Sequence, residues 1–162
     1  MNPATRPGGG ACYNSSVIRS IAAIGLGVLI SLAIGLLVVF GIFEPVFTRF
    51  FGMEIATSTA VPTAMLVFAA AFAFYFGGMA ASYRAPSRRR LHGVLVAPVA
   101  FIISPVINVL SGQGLFPGME SAVTVALVVA FLAVSVGAAY VGSRRGESLY
   151  AYNQRVSRRR AK

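Results

Sequence analysis

The chain has 162 residues, 57% of them hydrophobic and 11% charged. A soluble domain carries about a quarter charged residues. Here charges are missing from four long stretches and crowded between them, which excludes an ordinary soluble domain and points to one membrane domain with short tails.

The formal charge is +10, from 14 Lys and Arg against 4 Asp and Glu. Such an excess has two readings. One is a nucleic-acid partner. The other is the accumulation of basic residues in loops that are not translocated across a membrane. The four apolar stretches select the second, and no nucleic-acid partner is expected. Lys162 is the sole lysine among many arginines, alanines, glycines and valines, a composition typical of a GC-rich prokaryotic genome. Cys12 is alone, so no internal disulfide forms, and no apolar run precedes it as in a lipoprotein. No cleavable signal peptide is expected, because the first apolar segment is too long and follows a polar tail.

Residues 1–16 are polar and rich in Gly and Pro and read as a disordered tail. The first span is expected over 21–43, where no charge occurs. At ~1.5 Å per residue it crosses a hydrocarbon core of ~30 Å. Glu44-Pro45 is expected to end it, since the residue before a proline leaves the helical region. Residues 44–56 mix Phe47, Phe50 and Phe51 with Glu44, Arg49 and Glu54, and read as an interfacial turn. The second span is expected over 57–83, with Pro62 in its first turns, where a missing donor costs little.

The third span, 93–110, contains Pro98 and Pro105 and is expected to be kinked. Gly112, Gly114, Pro117 and Gly118 make 111–120 a loop. The fourth span is expected over 121–142, and 144–162 is a basic tail. The fold class is therefore all-α, an integral membrane four-helix bundle. Placing both termini and the second loop on one side puts 13 of the 14 basic residues there and leaves Arg49 alone opposite. The positive-inside rule makes that side cytoplasmic, in a multi-pass protein of the cell membrane. The exits of the second and fourth spans, Gly77 to Arg84 and Gly137 to Arg145, are both small-residue-rich and end in arginine. This pattern fits two hairpins in parallel repeat, or convergence on common residues.

Small residues recur every fourth position. Ala23, Gly27, Ser31 and Gly35 mark the first span. Ala69, Ala73, Gly77 and Ala81 mark the second, and Ala126 with Ala130 and Ala133 with Gly137 mark the fourth. That spacing puts them on one helix face, where small residues let backbones approach. The stripes serve either packing within the bundle or an interface with a partner.

Chemistry is sparse. One His, one Cys and four acids show no metal-ligand spacing, and no nucleophile, base and orienting acid assemble. No cofactor and no enzymatic activity are expected. Ser104, Pro105 and Asn108 are the notable polar set at depth: they line a small polar cavity or make an interhelical hydrogen bond. Arg84, Arg88, Arg89 and Arg90, with Arg144, Arg145, Arg155, Arg158, Arg159 and Arg160, face the negative leaflet. They hold the orientation, or recruit anionic lipid or an acidic partner.

The run Gly77-Gly78, small residues, Arg84 and then Leu91-His92-Gly93-Val94-Leu95-Val96 resembles a group of small four-span bacterial membrane proteins of unassigned function. The resemblance covers a minor part of the chain. Ser82-Tyr83 departs from it, where that group often has Gly between Ala and Arg. It implies a four-helix fold and carries over no site residues. Together these features lead to a non-catalytic accessory or scaffold subunit that associates with other membrane subunits or with itself. The alternative is a small oligomeric transporter or channel with a polar path along the third span.

Overall fold

The computed structural model describes residues 9–46, 49, 60–112 and 122–160. Among these, regular structure is entirely helical. The elements are α1 (Gly9–Val38), a π-helical turn (Val39–Phe43), α2 (Glu44–Val46), α3 (Ala60–Arg84), α4 (Arg89–Val94), α5 (Val96–Leu110) and α6 (Ala122–Arg160). Four segments are long and apolar enough to cross a membrane: Ser16–Val46, Thr63–Arg84, Arg89–Leu110 and Ala122–Arg160.

Several boundaries differ from expectation. α1 begins at Gly9, so residues 9–16 of the expected tail are helical, and residues 1–8 lie outside the described residues. Glu44-Pro45 does not end the first span. Helix continues to Val46 through the π-turn. A proline ring collides with the carbonyl four residues back, here Gly41, and the wider π geometry relieves that collision. The expected interfacial turn at 44–56 falls, beyond Val46 and apart from Arg49, outside the described residues, as do 57–59 and 113–121.

The third span starts earlier than expected, at Arg89, and breaks at Leu95 between α4 and α5. Pro98 has no N–H for the Val94 carbonyl, so the ladder is interrupted one turn before it. The largest departure is α6, a single helix of 39 residues that continues to Arg160 instead of stopping near Gly142. The apolar stretch ends near Tyr140, but half of the residues from Val141 to Arg160 are good helix formers and none is a proline, so the helix does not end with it.

The helices are held together by small side chains. The largest fully buried side chains are only Val96, Ser82, Ser135 and Ser143. α1 and α3 run antiparallel. A Cβ on Gly27 would sit 2.8 Å from Gly77 O and 2.9 Å from Ala81 Cβ, and one on Gly35 would touch Ala73 at 3.8 Å. α3 and α6 run parallel. Gly142 lies against the backbone of Tyr75, Gly146 against that of Met79, and Gly78 against that of Ala139. Gly93 of α4 enters the same seam between Gly78 O and Ser143 Cβ. Such approaches bring Cα–H groups onto carbonyl oxygens of the next helix, weakly favourable contacts that recur at helix interfaces.

Adding a methyl at the seam would force whole helices apart. Gly142→Ala meets the Tyr75 backbone and is expected to cost about 1–3 kcal/mol. Gly25→Ala meets nothing within 4 Å and is expected to stabilise by up to about 1 kcal/mol through helix propensity. Thermal melts of the two purified variants in one detergent check the contrast.

Candidate functional site

Three features outside the seam carry chemistry. The first is a polar knot at the end of the bundle where α1 starts and α6 leaves. Ser82 Oγ donates to Ser143 O at 2.8 Å, a buried bond between α3 and α6. Pro86, Ser87 and Arg88 turn the chain, and Arg88 takes the left-handed conformation at φ 40°. Its carbonyl accepts from Leu91 N at 2.9 Å and lies 3.2 Å from the Nδ1 of the buried His92. That bonding fixes a backbone conformation few non-glycine residues adopt. Arg89 donates through Nη1 to Tyr83 O at 2.9 Å, covering an otherwise open carbonyl at the C-terminus of α3. Its guanidinium also stacks 3.2 Å above the Tyr150 ring centroid. Arg90 pairs with Glu147. Tyr83 meets Tyr150 edge-on at 5.9 Å, and Asn153 donates to the Tyr83 hydroxyl at 2.9 Å.

The expected basic cluster is thus divided. Arg89 and Arg90 are engaged with α3 and α6, while Arg84, Arg88, Arg144, Arg145, Arg155, Arg158, Arg159 and Arg160 are exposed. Glu147, Tyr150, Ser82 and Ser143 were not singled out in the sequence. They follow the point where hydropathy falls, although Ser135, Ala139 and Ser143, and Gly142 and Gly146, already show the four-residue spacing.

The second feature is a pair of clefts at the opposite half of the bundle. One of 530 Å³ lies between α3, α5 and α6, and includes Thr63, Phe101, Ser104, Pro105, Asn108 and Phe131. The other, of 480 Å³, lies between α1, α3 and α5, and includes Ser31, Gly35, Phe74, Ser104 and Asn108. Phe101, Ser104, Pro105 and Asn108 occupy one face of α5, at helical spacing. The expected set Ser104, Pro105 and Asn108 therefore lies together, with Ser104 and Asn108 on the wall of both clefts. Pro105 adds a further polar group, because its missing N–H leaves the Phe101 carbonyl without its helical donor. Rings bridge the gap: Phe101 lies 5.7 Å from Phe131 and 6.4 Å from Phe74.

The third feature is the distribution of the small-residue stripes. Ala23, Gly27, Ser31, Ala69, Ala73, Gly77 and Ala81 are buried, and Gly35 is half-buried against Ala73. The stripes of α1 and α3 face each other. Ala133 and Gly137 are exposed, with no atom within 4 Å of a Cβ at Gly137, and the fourth span instead packs through Ser135, Ala139, Gly142, Ser143 and Gly146. Among the described residues no three of His, Cys, Asp and Glu are grouped to hold a metal ion.

Comparison with protein-family models, curated sequences and solved structures finds no match to this chain.

Ser31 Oγ is buried over Gly77 and makes no hydrogen bond. An unsatisfied buried hydroxyl costs about 1–3 kcal/mol. Ser31→Ala is accordingly expected to raise the melting temperature, and a lowered one would show that the hydroxyl is satisfied in the folded protein.

Proposed function

We propose that the chain is a multi-pass protein of the cell membrane, with both termini cytoplasmic, that works by association as a non-catalytic accessory or scaffold subunit. The observation that carries this reading is the exposed face Ala126, Ala130, Ala133 and Gly137 of α6. Small side chains give a helix nothing to offer lipid, but they allow another helix to come close enough for van der Waals contact. The equivalent stripes of α1 and α3 are used up within the chain. This one is left for a second membrane chain or another copy.

The cytoplasmic part of α6 supports the same reading. At ~1.5 Å per residue, 39 residues extend roughly 58 Å, about twice the hydrocarbon thickness. The knot of Tyr83, Arg89, Arg90, Glu147 and Tyr150 braces the base of this extension. Its end holds Arg155, Arg158, Arg159 and Arg160 on a rod already in helical form, so an acidic partner would meet them with little ordering cost.

A second reading draws on the clefts. Ser104 and Asn108 flank space on both sides of α5, which an oligomer could extend into a path for a small solute.

Gly137→Leu adds bulk where this chain has no atom within 4 Å, so its own melting is expected not to fall while the assembly seen in mild detergent dissociates. An assembly untouched by both Gly137→Leu and Ala133→Leu, or a wild-type monomer without co-purifying protein, would contradict association. For the second reading, glycerol flux into liposomes is expected to fall about tenfold in Asn108→Leu, a loss of ~1.4 kcal/mol in the path. Absent or unaltered flux removes it.

A further inference from the structure

Two arginines sit deeper than the rest of the basic end. Gly146 packs against Met79 and Tyr150 against Tyr83, which sets α6 in parallel register with α3. Arg145 is therefore level with Gly78, six residues before Arg84, or about 9 Å further into the bundle at 1.5 Å per residue. Gly27 packs against Gly77 and Ala81, and Arg19 lies eight residues from it toward the basic end, so Arg19 is about 12 Å further out than Arg144 and Arg145. In the membrane orientation proposed above, Arg144 and Arg145 lie a turn or two beneath the collar formed by Arg19, Arg84 and Arg88. Because α6 leaves the membrane at its C-terminus, each Cα–Cβ bond there tilts back toward the membrane interior.

Among the described residues these arginines have no acid to pair with. The acids of the described residues are Glu44, at the opposite end, and Glu147, which is held by Arg90. A hollow of 310 Å³ between α3 and α6 is lined by Tyr75, Val141, Arg144, Arg145 and Ser148. Val141, Arg144, Arg145 and Ser148 form one face of α6 at helical spacing. The hollow joins an apolar wall to two guanidiniums and two hydroxyl-bearing side chains.

We propose that this hollow is a binding site for an anionic phospholipid, with its phosphodiester between the Arg144 and Arg145 guanidiniums and its acyl chain along Val141. Guanidinium groups meet phosphate oxygens through paired N–H donors, and a basic pocket between helices on the cytoplasmic side is where such headgroups bind. The depth of the pair selects lipid over a soluble phosphate: a headgroup drawn below the collar keeps its chains in the hydrocarbon, whereas a free ion would have to shed its water. The proposal rests on the membrane orientation but not on the association surface at Gly137.

The test is native mass spectrometry of the full chain in detergent, titrated with phosphatidylglycerol or phosphatidylcholine. Wild type is expected to prefer phosphatidylglycerol about tenfold or more, because two cations face its anionic headgroup. R144Q/R145Q is expected to lose that preference with an unchanged melting temperature, because both side chains are exposed. Arg145→Lys, which keeps the charge but not the paired donors, is expected to fall between. R158Q/R159Q is expected to keep the full preference. Equal binding of the two lipids, a preference retained in R144Q/R145Q or lost in R158Q/R159Q, or displacement of the lipid by millimolar inorganic phosphate overturns the proposal. Gly137→Leu is expected to leave lipid binding intact, so failure of the association reading would be seen separately.

Discussion

Direct contact between helix backbones is the constraint on which the rest of this structure depends. Gly27 on Gly77, Gly78 on Ala139, Gly142 on Tyr75 and Gly93 on Gly78 leave no space for a side chain. Among the described residues the core contains no buried Leu, Ile or Phe, and the largest fully buried side chain is Val96. Bulky apolar residues point outward instead, as they would if lipid were the solvent. Polar satisfaction is arranged within the same geometry: the Ser82 hydroxyl reaches the Ser143 carbonyl because both helices are already that close.

The seam is not uniform along the bundle, and this asymmetry organises everything else. Glycines and serines are concentrated toward the basic end, where α1, α3, α4 and α6 converge. Past the break at Leu95, α5 carries bulky Ile and Val, with Ile102, Ile103 and Ile107 exposed, and it stands away from its neighbours. Clefts open there, bridged by Phe101. One end of the molecule is therefore closed and tied by an arginine–tyrosine knot, and the other is open and lined by polar groups of α5. The proposed roles follow this division. Contacts with anionic lipid and an acidic partner belong to the closed end, a second helix would lie along α6, and any solute path would need the open end.

The knot also explains why one basic segment contains arginines of different kinds. Arg89 and Arg90 are spent on Tyr83, Tyr150 and Glu147, which makes them structural. Among the described residues Arg84, Arg88, Arg144 and Arg145 have no acidic partner. A net charge of +10 therefore overstates how many cations are available to a ligand, and understates how specific the remaining ones are in position.

Four apolar stretches, the kinked third span and the small-residue stripes of α1 and α3 were legible in the sequence, because hydropathy and four-residue spacing are local properties. The end of α6 was not: hydropathy marks where lipid stops being the solvent, while a helix stops only where its own backbone is broken. The same reason hid Gly142, Ser143 and Gly146 behind Ala133 and Gly137. All of these are small residues on the fourth span, and the choice among them depends on which face turns toward α3. By itself the sequence determined the number of apolar spans, the surplus of arginine and the small-residue periodicity. Only the tertiary structure decided which stripe is buried and which is exposed, which arginines are paired, and that Arg144 and Arg145 lie further into the bundle than Arg84 and Arg19. Those outcomes are set by the register between helices far apart in the chain, and register follows from where backbones can touch.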